Sequence, residues 1–433
     1  MMSSPAKKVQ SPVPEAKSPT VQSPKGKTKS PTPGPASPTP GPASPTPGPA
    51  SPTPGPASPT PGPASPTPGP ASPTPGPASP TPGPASPVAA HDGAPTDLLS
   101  GAHWGELEIP DDEDSTLGSD AESSRASISS SILQYRTISG RRYHSDSVTD
   151  GEYWGPNDEK AMEVMDIFHH AMTLILNDRL YTAPLSKDIK NAIDIGTGTV
   201  FALMTNSSAY SDFADEFPTC NVVGTDISAI QPDWVPPNLQ FDIDDASKTW
   251  TYPDNHFDYV HIRWLCCTMK DWASLYKEAY RCTKPGGWIE HFDGGVHMVC
   301  LDGTMPKDSA IGQWGHIWTE VERKTGVIAN MLDGCMENGI KEAGFTNVQT
   351  EDFLAPTAPW PTDERQKQIG LFQYISLTSD VEGFLTYFLG QVMGWTENEM
   401  AKYASVLRRE YKEGKIHANI KWRVVRAQKP VDA

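Results

Sequence analysis

The sequence predicts an α/β domain on a doubly wound, mainly parallel sheet with a late antiparallel edge strand, behind a long tail without a core. Three observations predict it. Short apolar runs alternate with helix-length amphipathic segments from about Tyr153 onward, the order of parallel strands joined by helical crossovers. Several runs end in an acid or a glycine, at the strand ends where open sheets of this kind place ligands. The first ninety residues hold most of the chain's 45 prolines and no apolar periodicity.

Residues 1–29 carry six lysines among Ser-Pro pairs, and from Ser30 to Ala85 the heptapeptide SPTPGPA repeats eight times. The unit has no large apolar residue, so repeats cannot stack into a core. Its prolines favour extended polyproline II and its glycine a joint. Each unit offers Ser-Pro and Thr-Pro for phosphorylation, though a spacer needs no such use. Residues 106–131 turn acidic and then serine-rich. The whole segment 1–150 is expected to be disordered, and 151–430 to form one folded domain.

Pro156-Asn157-Asp158-Glu159 reads as a helix start. Met162, Met165, Phe168, His169, Met172 and Ile175 then give an apolar face through about Arg179. Strands are predicted over Ala192–Ile195, Asn221–Thr225, Leu239–Ile243, Phe257–Ile262 and Gly287–Phe292, with two late ones over Val348–Phe353 and Ile420–Arg426. Helices are predicted over Asp271–Cys282, Ile311–Lys324, Gly334–Ala343, Asp363–Ile375 and Glu397–Glu413.

Bulk properties narrow the function. The net charge is −18, most of it in the folded part. That part lacks the basic footprint a phosphate backbone requires, so no nucleic-acid partner is expected. Six cysteines include no CxxC pair and no Cys/His cluster, which suits reduced buried thiols rather than zinc. No apolar run is long enough for a membrane span and the N-terminus has no apolar leader, so a cytoplasmic or nuclear location is expected.

The chemistry-bearing signal begins at Asp194-Ile195-Gly196-Thr197-Gly198, a strand ending in an acid and then glycines that let a ligand approach the backbone. Alone it is a weak motif. Val222-Val223-Gly224-Thr225-Asp226 follows, a strand ending in an acid suited to ribose hydroxyls. Then come Asp244-Asp245-Ala246 at the next strand end, Phe257-Asp258-Tyr259-Val260, and Lys284-Pro285-Gly286-Gly287. Together, in this order on alternating elements, the five are specific. A nicotinamide cofactor fits less well, because Phe201 stands where its phosphate loop needs a glycine.

On these motifs the domain resembles the class I S-adenosylmethionine-dependent methyltransferases, a Rossmann-like fold, and within them the fungal LaeA-like group of secondary-metabolism regulators. The resemblance spans about Tyr153 to Pro430, with Tyr153–Glu159, His169-His170, Asp212–Ser228 and Val425–Pro430 among its closest stretches. It implies S-adenosylmethionine as cofactor, with Asp194, Gly196 and Gly198 cradling the methionine part. Asp226 would hold the ribose, Ile227 pack the adenine, and Asp245 and Ala246 read its edge. It also implies methyl transfer to an unidentified acceptor, and partners of the velvet type.

The sequence departs from the family after Thr199. The segment Val200 to Ser211 is about seven residues too long, so that Gly196 and Asp226 stand 30 residues apart where about 20 are usual. Either the insertion is real and weakens cofactor binding, leaving a non-catalytic regulatory or scaffold protein, or it is an intron-boundary error. The match of both flanks favours the second.

Catalytic candidates are His261, Arg263 and His291, at or near strand ends, where a histidine can take a proton. Methyl transfer needs chiefly alignment, so a structural role is the commoner reading for each, as for His169-His170. Trp264 and the other tryptophans read as core and pocket walls. No metal site is expected.

Overall fold

A computed structural model describes residues 97–108, 135–145, 153–199, 209–231 and 235–433. In chain order the elements are α1 (Gly101–Gly105), β1 (Arg136–Ile138), β2 (Arg141–Tyr143), α2 (Glu159–Ile175), β3 (Asn191–Ile195), α3 (Ala209–Glu216), β4 (Asn221–Asp226), β5 (Leu239–Ile243) and β6 (Phe257–Arg263). Then follow α4 (Trp272–Cys282), β7 (Thr283–Cys300), α5 (Ala310–Thr325), α6 (Cys335–Glu342), β8 (Thr346–Pro356), α7 (Glu364–Ser379), α8 (Val381–Leu385), a π-helical stretch Thr386–Val392, α9 (Glu397–Glu413) and β9 (Ala418–Gln428).

All seven expected strands form, in one sheet of order β5-β4-β3-β6-β7-β9-β8. The first five pair in parallel. The late strand β9 is antiparallel to both β7 and β8, and lies one place in from the edge that β8 closes. From β3 the chain winds outward through β4 and β5, then returns to place β6 on the other side of β3. That reversal makes a crevice at the carboxyl ends of β3 and its neighbours, where doubly wound sheets bind ligands.

Sequence alternation explains why the central strands are apolar throughout. Ala192, Val222 and Tyr259 face one buried layer with Phe213 and Phe217, while Ile193, Val223 and Val260 face another with Trp272 and Tyr276. Both faces are covered, as parallel sheets require. A third, larger cluster joins α2, α5, α8 and α9 over the remaining edge. α2 starts where expected, with the Asp158 carboxylate capping the Ala161 N–H. The longest departure is β7, expected over Gly287–Phe292. It runs on because its second half pairs with β9 after a register shift between Gly294 and Met298.

The expectation of disorder across residues 1–150 is corrected in two places. In 97–108, α1 seats Trp104 at 1% exposure against Tyr403, ring centroids 5.0 Å apart. In 135–145, β1 and β2 form a hairpin that buries Tyr143 completely. Arg141 of that hairpin reaches Asp158 at 2.5 Å and Asp380 at 2.8 Å. Large rings and a shared guanidinium give these short islands the burial that composition alone did not reveal. The SPTPGPA repeats of 30–85, the acidic and serine-rich stretch from residue 109 to 131, and residues 200–208, Val200 among them, lie outside the described residues.

Candidate active site

The crevice is a hollow open to solvent, lined from five directions. The glycine loop after β3 supplies Gly196, Thr197, Gly198 and Thr199; the end of β4 supplies Asp226, Ile227 and Ser228; the end of β5 supplies Asp244 to Ser247; the end of β6 supplies Arg263, Trp264 and Leu265; α2 and the residues before it supply Tyr153, Met165, Asp166 and His169.

Gly196 and Gly198 have φ of +69° and +65°, the left-handed region that a side chain resists. At Gly196 a Cβ would also stand 2.3 Å from Leu265 Cδ2, whereas at Gly198 it would meet nothing within 4 Å. The first glycine permits close packing, and the second keeps the backbone open toward the hollow. Thr197, between them, buries a hydroxyl with no hydrogen-bond partner.

Asp226 is held from two sides. The Gly198 N–H donates to its Oδ2 at 2.8 Å and the Ser228 N–H to its Oδ1 at 2.9 Å. Burial nevertheless pushes its carboxyl up to about 6, the two N–H donors only partly opposing it. At the next strand end, Asp245 Oδ1 accepts from the N–H and hydroxyl of Ser247 at 2.9 and 2.7 Å, and burial raises the Asp244 carboxyl. Ala246 turns its side toward the hollow, while its carbonyl is anchored by Trp250 Nε1 at 3.1 Å.

α2 contributes a group the sequence reading missed. The Thr199 hydroxyl donates to Asp166 Oδ1 at 2.7 Å, and burial pushes this carboxyl up to about 7. Its signal was present: Asp166 interrupts the face otherwise formed by Met162, Met165, His169 and Met172. Across the hollow Arg263 meets His169 Nδ1 at 2.5 Å. Burial, with Arg263 beside it, holds His169 well below the usual histidine range.

The expected residues divide accordingly. Gly196, Gly198, Asp226, Ile227, Asp245 and Ala246 are all brought to the hollow. Asp194 is not: 3% exposed, it lies behind the glycine loop and bonds His261 Nδ1 at 2.6 Å. Its other oxygen has no hydrogen-bond partner. Of the catalytic candidates, Arg263 lines the hollow, whereas His261 and His291 do not. His291 is fully buried against α4, bonded to the Tyr276 hydroxyl at 2.8 Å and stacked on Trp272. β7 continues well past it, so it is a mid-strand residue rather than a strand end. Its neighbour Asp293 instead accepts the N–H groups of Leu265 and Cys266 at 2.9 and 3.0 Å, fixing the turn at which Trp264 adopts a φ of +51°.

The methyltransferase-domain family model matches residues 167–350. Methyltransferase pytC of Aspergillus terreus is 37% identical over 314 residues, covering 72% of this chain and 93% of that protein. Secondary metabolism regulator LAE1 of Cochliobolus heterostrophus is 31% identical over 299 residues, covering 67% and 94%. Secondary metabolism regulator laeA of Aspergillus flavus is 26% identical, covering 73% and 83%. Relatives matched over nearly their whole length, on a sheet wound in this order, place the chain in the class I S-adenosylmethionine-dependent methyltransferase family, in its LaeA-like group.

Proposed function

We propose that this chain transfers the methyl group of S-adenosylmethionine to a small-molecule acceptor of secondary metabolism. The observation that carries the reading is the convergence of the glycine loop, Asp226 and Asp245-Ala246, from three strand ends, on one hollow. The residues suit the cofactor. Four carboxyl groups, of Asp166, Asp226, Asp244 and Asp245, line the hollow with the single guanidinium of Arg263 among the described lining residues, and even with Asp166 partly protonated near neutral pH the balance favours a cationic ligand. Asp226 is pre-oriented by two N–H donors and keeps acceptor capacity for ribose hydroxyls. The buried Thr197 hydroxyl supplies a further polar group at the loop.

When bound, S-adenosylmethionine supplies an electrophilic methyl on a positively charged sulfur. The chain's share is binding, alignment and exclusion of water, the terms on which a displacement of this kind depends. Its relative pytC, named a methyltransferase, supports the reading.

Calorimetric titration of the full chain with S-adenosylmethionine and S-adenosylhomocysteine tests it. Saturable binding of both is expected, and absence of heat at high protein concentration rejects it. The same titration tests the non-catalytic alternative raised by Val200. A second reading, a regulatory role with velvet-type partners, rests on relatives named secondary metabolism regulators. It expects deletion of residues 1–96 to abolish function in cells while homocysteine-cofactor binding persists.

A further inference from the structure

A second chamber, a recess partly open to solvent, adjoins the hollow and shares Tyr153, Pro156, Met165, Trp264 and Thr268 with it. Its remaining wall is apolar and aromatic, chiefly Trp154, Ala161, Val164 and Phe384. The rings pack on one another. Trp154 stacks on Phe384 with centroids 6.0 Å apart, and Phe384 lies 6.3 Å from Trp264. Behind them Trp154 packs edge-on to Trp318 at 5.6 Å and against Phe388 at 5.8 Å. One charged residue, Asp380, lines this chamber among the described residues. It is already paired with Arg141 at 2.8 Å and Lys160 at 3.3 Å, so it offers little to a ligand's charge.

We infer that this chamber is the acceptor site and that it takes an uncharged, planar aromatic compound bearing an O–H or N–H nucleophile. The inference rests on the methyl-donor reading above and goes beyond it by naming the acceptor class. Aromatic walls favour a ring that can pack against their faces and edges. The ionised carboxylates of the adjoining hollow disfavour a phosphate or carboxylate on the acceptor. A protonated amine has no lone pair to attack with. In the transfer, the carbon–sulfur bond breaks with its electron pair left on sulfur. A new carbon–oxygen or carbon–nitrogen bond forms from the acceptor's lone pair, and the acceptor's proton is released to water at the mouth.

The experiment titrates 2-naphthol and 2-naphthyl phosphate into the full chain saturated with S-adenosylhomocysteine. Naphthol is expected to bind about tenfold or more tightly than its phosphate, a difference of about 1.4 kcal/mol. Ala161→Leu fills the chamber from α2 without weakening the helix. It should lower naphthol affinity by about tenfold while leaving the homocysteine-cofactor affinity within about twofold. Val164→Phe is a second filling variant, with unchanged melting temperature as the folding check. Equal binding of the two naphthyl compounds, no naphthol binding, or naphthol affinity indifferent to both variants would overturn the inference. If S-adenosylhomocysteine itself does not bind, the methyl-donor reading fails. Naphthol binding to the ligand-free chain, lost on filling, then still decides the chamber.

Discussion

Asp166 and Asp226 accept good hydrogen bonds, yet both carboxyl groups stand well above the ordinary aspartate value, at about 7 and about 6. Desolvation is the largest effect at each and outweighs those hydrogen bonds. The sign follows from linkage. A folded-state value raised above the unfolded one means the native state binds the extra proton, so the contribution to stability is present below about pH 4 and is lost as pH rises through 6 and 7. Asp166→Asn keeps an acceptor for Thr199 and removes the charge. Its melting temperature without ligand should pull above that of the natural chain between pH 4 and 7 and stay above beyond, by about 2–4 °C. A gap that is constant with pH would mean Asp166 does not titrate as its burial implies. The two glycines separate packing from access. Gly196→Ala should destabilise by about 1–3 kcal/mol, read by urea denaturation. Gly198→Ala meets no neighbour within 4 Å and should cost only about 1–2 kcal/mol, its larger effect falling on cofactor affinity.

At the scale of elements, the sheet was legible because each strand carries its own evidence: apolar runs buried on both faces, punctuated by acids and glycines. The acids of the site were legible for the same reason, since Asp226 and Asp245 lie at strand ends or just after them. Asp194 was legible as a motif residue but not in its place. Its register beside His261 on β6 turns its carboxylate behind the loop, and register is set by pairing rather than by the local sequence. Besides α3, the elements not anticipated are α1, the β1–β2 hairpin, α8 and the π-helical stretch, which are short and are held by contacts with distant residues. Arg141 shows how. It bridges the N-caps of α2 and α8, Asp158 and Asp380, whose side chains are 2% and 3% exposed. Arg141→Met would leave two nearly buried carboxylates, with Lys160 alone near one. A loss of about 3–5 kcal/mol is expected by chemical denaturation. Because α2 carries Asp166 and α8 carries Phe384, weakened ligand binding should accompany it. A change below about 1 kcal/mol would identify the bridge as a surface-like pair.

On the scale of the whole molecule, the boundary of the folded unit differs from the one that composition marks. Proline-rich and serine-rich sequence flanks two islands that pack on the domain. Leu99 N–H donates to Gln313 Oε1 at 2.8 Å, Lys402 donates to the Gly105 carbonyl at 2.6 Å, and Trp104 and Tyr143 are almost wholly buried. Each large ring is worth about 1.5–3 kcal/mol on burial. Gln313 would lose Leu99 and Asp380 would lose Arg141 with the islands, keeping Lys307 and Lys160 respectively. By contrast the SPTPGPA unit has no large apolar side chain to bury. Two shortened chains distinguish these contributions. One beginning at residue 97 should melt within about 1 °C of the full chain and bind S-adenosylhomocysteine with the same affinity. One beginning at residue 153, where composition turns globular, should lose more than about 5 kcal/mol and unfold early or aggregate. Equal stability of that shorter chain would show that α1 and the hairpin merely rest on the domain. A drop already on removing residues 1–96 would show that the repeats contribute to folding after all.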